Sequence, residues 1–323
     1  MIRRLPGARL KCSAVRGASS AQLPDGGDLR TLLSRDRTDN APTTRCLDNR
    51  RTAAALMRRI AAADSALALA RLLRAGDRLP DLDCVHVAAC LHRIVTLEQS
   101  LDGSAPSLRL LRALAARQRC DLAAGQLDGF GVAAAAWAAA RLCERVPELR
   151  SNAPYIAEAA AARASEMSPQ GLATTAWAIA VLELPERRAG SFLKALRAQM
   201  RWRLGDFGAQ DLAFVSWALA TLRIRDAAWL RSIAAAVRAR LHDFSPKALG
   251  NTAWAFAFLG FRDRHLVCAV AAQAGRTAGL FGPEELANTA SSFVLWTRLS
   301  HVPTVAISEN DNARRLCFVS NGR

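Results

Sequence analysis

The chain has 323 residues, of which 51% are hydrophobic and 6% aromatic, with a formal net charge of +16. That is ample apolar material for a core, and the lack of alternating Val, Ile and Thr runs argues against a sheet protein. The clearest long uncharged run, Met167 to Leu182, carries Pro, Gln and Thr and is too short to cross a bilayer, and the eight scattered cysteines form no CxxC pair, which argues for reduced thiols over a disulfide scaffold.

Residues 1–51 read as a leader and linker. Arg3, Arg4, Arg9, Lys11 and Arg16 precede the first acid, Asp25, with Ser and Ala between them and no continuous apolar stretch. This is the composition of a mitochondrial or plastid transit peptide rather than a secretory signal; an ordinary basic tail has the same composition. Residues 1–60 hold 13 Lys and Arg against 5 Asp and Glu, so half of the net charge lies here. The rest of the chain is still basic, which favours a polyanionic partner. Ordered structure is expected from about residue 52.

A repeat organises residues 52–296. Trp137, Trp177, Trp217 and Trp254 recur at spacings of 40, 40 and 37, and Ser291 takes the slot 37 residues further on. A weaker copy, Val87 to Leu97, has His92 in the tryptophan slot. Each unit opens with a helix start. Ser245 caps, Pro246 suits the first turn, and Phe244 with Leu249 has the spacing of a hydrophobic staple. The pairs Leu127/Val132, Met167/Leu172, Phe207/Leu212 and Phe281/Leu286 repeat it, with caps at Asp128, Ser168, Gly208 and Gly282. The helix that follows is apolar nearly all round and must be packed on several sides, with the tryptophan filling the gap to the next unit. Amphipathic segments such as Ser191 to Leu204 and Ala227 to Leu241 supply a second helix. Helix-turn-helix units of about 38 residues, five to six of them, predict an all-α fold of the α-solenoid type. Residues 297–323 are expected to form an irregular tail.

The segments FSPKALGNTAWAFAFLG, MSPQGLATTAWAIAVL and PEELANTASSF resemble the octotricopeptide repeat, and the wider array is similar to the FAST-kinase-like and RNA-editing substrate-binding complex families. The resemblance covers about residues 82–296. It implies a mitochondrial or chloroplast protein that binds single-stranded RNA and acts in its processing, stability, editing or translation. Many such proteins carry a C-terminal RAP domain; the tail after residue 296 shows none, and no activity of that domain is expected.

RNA would meet the second helices. Ser191 to Leu204 carries Lys194, Arg197, Arg201 and Arg203 without an acid, and Ala227 to Leu241 carries Arg231, Arg238 and Arg240. Aligned by repeat, Lys194 matches Arg231, Arg201 matches Arg238, and Arg163 matches Arg203 and Arg240, rows that suit a phosphate backbone or simply a solvated face. Asn251 and Asn288 share one slot on the first helices and have the chemistry to read a base edge or to bond between helices. Trp202 and Trp229 are candidates for base stacking or for core. Cys84, His86, Cys90 and His92 cannot converge on one ion from a helix, so no metal, cofactor or catalytic centre is expected. A second reading is a protein-interaction scaffold within an organellar ribonucleoprotein.

Overall fold

The computed structural model describes residues 54–74, 82–97, 104–300, 305–310 and 313–318; side chains at 284, 285, 287, 288 and from 297 onward are outside that description. The predicted leader and linker, 1–51, also lie outside it. Up to Ser300 the described chain is an all-helical array. Helices α1 (54–62) and α2 (Ala66–Arg74) open it, and α3 (Cys84–Thr96) with α4 (Ala105–Ala123) makes the next pair. The pairs α5 (Gly129–Leu142) and α6 (Ala153–Arg163), α7 (Pro169–Val181) and α8 (Glu186–Arg203), α9 (Ala209–Thr221) and α10 (Ala227–Ala239), and α11 (Pro246–Leu259) and α12 (Arg264–Arg276) follow, closed by α13 (Pro283–Ser300).

The first helices α3, α5, α7, α9, α11 and α13 pack each on the next in chain order, and the second helices lie beside them. This is the α-solenoid arrangement. Local sequence sets where the first helices begin. Asp128, Ser168 and Ser245 accept hydrogen bonds from the amides of Gly131 (2.7 Å), Gly171 (3.0 Å) and Ala248 (3.2 Å). Gly208 has no side chain to cap with, and Asp211 reaches back to its amide instead at 2.9 Å. Their ends recur too. Glu183, Arg223 and Gly260 occupy one slot of three successive units, all in the left-handed region at φ of 58°, 60° and 67°. There the chain reverses through paired bonds such as Arg223 N to Ala220 O and Ile224 N to Leu219 O, which satisfy the last carbonyls of the helix.

Aromatic rings fill the seams between units. His92 meets Trp137 at 5.3 Å between centroids, Trp177 meets Phe214 at 5.7 Å, and Trp217 meets Trp254 at 6.4 Å. Between α5 and α7 the seam is made of small residues, and a Cβ added at Gly171 would stand 3.5 Å from that of Ala133. Gly250 allows α11 and α13 to approach so closely that a Cβ would fall 2.9 Å from Thr289 Oγ1. In α13 the aromatic is displaced along the helix. Ser291 is exposed, while Trp296 is wholly buried against Phe256 (6.1 Å) and donates from Nε1 to the Phe261 carbonyl at 2.8 Å. A buried polar knot ties α4, α5 and the start of α6: Asn152 donates to the Ala115 carbonyl and to Gln118 Oε1, both at 2.9 Å, and Gln118 to the Ala135 carbonyl at 3.3 Å.

The C-terminal segment differs from the irregular tail expected of it. α13 continues to Ser300, and strands β1 (Val305–Asn310) and β2 (Ala313–Phe318) pair antiparallel, Val305 opposite Phe318 and Ile307 opposite Leu316. The reason is local: the register sets the apolar block Val305–Ile307 opposite Leu316–Phe318, and Asp311-Asn312 has the composition of a hairpin turn. The strands were obscured in the sequence by their length.

Candidate functional site

Charge is sorted by layer. The second helices α4, α6, α8, α10 and α12 hold 15 Lys and Arg against 3 Asp and Glu. The first helices α3, α5, α7, α9, α11 and α13 hold 4 against 3. The cause is packing: a helix buried on several sides cannot keep ionised groups at low cost, whereas the second helices each keep one side in water.

Five of the eight cations proposed from the sequence hold the array together. Arg163 Nη2 donates to the Gly125 carbonyl at 3.1 Å, Arg203 Nη1 to the Met167 carbonyl at 3.1 Å, and Arg240 to the carbonyls of Phe207 and Gly205. Each thus reaches from the end of its second helix to the chain just ahead of its own first helix, closing the helical pair. The row read from the repeat is real, and its carbonyl partners explain it. Arg197 and Arg238 form a second set. They pair with Asp226 and Asp263, the caps of the next second helix, the latter at 2.7 Å. The signal for this was in the sequence as two aspartates 37 residues apart at helix starts, each preceded by an arginine; nothing in one dimension shows that they meet.

Lys194, Arg201 and Arg231 are left. All three are exposed, and none engages a carboxylate or carbonyl among the described residues. Lys194 and Arg231 hold the same position of consecutive units. Arg187 extends the row on α8, since Arg187, Lys194 and Arg201 recur every seven residues and so face one way. The two candidate tryptophans part company. Trp229 is 6% exposed and belongs to the core, whereas Trp202 is 81% exposed, with the Arg201 guanidinium over its ring at 5.4 Å from the centroid.

No family model and no curated protein matches this chain.

The slot that follows the asparagines serves packing in two units. Thr175 and Thr252 are buried and donate to the carbonyls of Gly171 and Ala248, each at 2.8 Å. Asn251 is half-buried, on the face of α11 that also carries Lys247, Trp254 and Phe258. Asn288 lies on α13 with its side chain outside the described residues. The His and Cys residues of α3 have separate occupations. His86 Nδ1 bonds Asp83 at 2.6 Å, His92 packs on Trp137, and burial pushes the Cys90 thiol up to about 12. Among the described residues no three His, Cys, Asp or Glu are gathered as a metal site, and no helix is long and apolar enough to cross a membrane.

Proposed function

We propose that this protein is an organellar RNA-binding solenoid, of the octotricopeptide type it resembles, that holds single-stranded RNA along its second helices and so influences the processing, stability or translation of that RNA. The observation that carries the reading is the segregation of charge: 15 cations against 3 acids on one layer of helices, and near balance on the other. Solubility alone asks for mixed charge, and a one-signed layer is what a phosphate chain would meet. Because Arg163, Arg197, Arg203, Arg238 and Arg240 are engaged within the protein, the contacts to RNA are assigned first to Lys194, Arg201 and Arg231. The role is binding rather than catalysis, and the leader composition supports import into a mitochondrion, with a plastid as the alternative.

The test is filter binding of the full chain to a random-sequence, single-stranded 20-nucleotide RNA pool across a salt series. Affinity should fall steeply with salt, and Lys194→Glu with Arg231→Glu should reduce the log–log slope by about 1.4, at ~0.7 for each phosphate no longer neutralised. A flat salt response in the unaltered chain, or no binding, rejects the proposal. Protein partners that remain on the chain after nuclease treatment would favour the scaffold reading instead.

A further inference from the structure

We infer that Trp202 is a base-stacking platform built into α8, with Arg201 and Lys194 beside it for the phosphates. The inference rests on the RNA-binding reading above and gives that surface a specific contact.

An indole left in water is unusual, because tryptophan is the side chain with most to gain from burial. All seven tryptophans of the chain are among the described residues, and the other six are buried or half-buried. The fold explains how this one comes to be outside. On α10 the arginine that pairs with the next cap, Arg238, and the arginine that closes the helical pair, Arg240, are two residues apart. On α8 the same two roles fall to Arg197 and Arg203, six residues apart. Arg197 lies one helical turn before Arg201, the α8 counterpart of Arg238, so on α8 the next cap is held from one turn earlier. Arg201 is thereby left off the cap and lies over Trp202, whose slot faces water on α10 too, where the small Ala239 fills it.

The surroundings select the ligand. Ala198, one turn before Trp202, is exposed and small, so nothing bulky stands where the ring leans toward the helix start. Arg201 lies over the ring, and 81% of Trp202 is open to solvent. Arg187, Lys194 and Arg201 run beside it, and the one acid of α8 is Glu186, in the first turn. An apolar partner would have to strip water from these cations without compensation. A nucleotide satisfies both parts, since every base has a face to stack on the indole and a phosphate for the cations.

The experiment uses the full chain, the random 20-nucleotide RNA pool, and inorganic polyphosphate as a base-free competitor. Trp202→Ala should weaken RNA binding about five- to hundred-fold, the range set by loss of one stacked base. Trp202→Phe should retain most of the affinity, and polyphosphate should bind all three proteins alike. RNA should also protect the iodide-accessible tryptophan fluorescence of the unaltered chain, a component missing from Trp202→Ala. If Trp202→Ala binds RNA as the unaltered chain does, with salt dependence intact, the platform is refuted while RNA binding stands. If Trp202→Ala lowers RNA and polyphosphate affinity equally, the indole has no stacking role and the inference falls. If the unaltered chain binds no RNA, both readings fall together.

Discussion

At the scale of single residues, the same slot is solved by different chemistry in successive units. The chain must turn left-handed after α7, α9 and α11, and glycine does this without steric penalty at 260, whereas Glu183 and Arg223 carry a Cβ into the same conformation. Arg223→Gly should therefore stabilise the protein and Gly260→Ala destabilise it, each by about 1 kcal/mol. Thermal melts followed by circular dichroism should show opposite shifts of ~2–4 °C. If both substitutions move the midpoint the same way, the shared backbone strain is not what limits these turns. Arginine is reused in the same manner. Its fork suits two neighbouring carbonyls at Arg240 and a carboxylate at Arg238, and at Arg201 the planar cation lies over an indole. Sequence position does not distinguish these uses, since Arg201 and Arg238 are equivalent in the repeat.

At the scale of helices, the three central pairs are closed by Arg163, Arg203 and Arg240, and Arg197 and Arg238 link two of them onward. Removing Arg240 leaves the carbonyls of Phe207 and Gly205 short of a donor at a seam between loops; removing Arg231 removes only a solvated charge. Arg240→Ala should cost about 1–2 kcal/mol in urea denaturation and Arg231→Ala less than about 0.5. Equal effects would mean that the carbonyl ties contribute nothing beyond surface charge. The comparison also separates folding from binding, because Arg231→Ala should lower RNA affinity with stability unchanged. The cap-pairing arginines belong to the same account. Arg238 should not be altered as a test of RNA contact, since its removal takes the arginine away from the cap Asp263.

At the scale of the whole molecule, stability is passed from unit to unit, because each first helix packs chiefly on its sequence neighbours. Trp177 sits at a central seam against Phe214, and Trp296 at the last. Trp177→Ala should cost ~3–5 kcal/mol and break unfolding into two separable transitions, since it weakens the link between the two ends of the array. Trp296→Ala should leave the transition through the central units single. Coincident single transitions in both variants would indicate one global unit rather than a chain of neighbours. The sorted charge is also a whole-molecule property. No one helix is strongly basic except α8, yet the layer is.

Much of this was legible in one dimension, because it depends on contacts within a turn or two of the chain. Ser168 and Ser245 as caps, Met167/Leu172 and Phe244/Leu249 as staples, and tryptophan as the filler of seams all follow from spacing and side-chain shape. What lies 25 to 38 residues away did not follow: Arg163, Arg203 and Arg240 reaching carbonyls, Arg197 and Arg238 reaching caps, Trp296 standing in for the residue missing at 291. Spacing within a helix is governed by its own geometry, so sequence alone determined the helices of the array and their stacking. Which cation turns inward and which indole is left in water depends on how far one helix overhangs the next, and only the tertiary structure decided that.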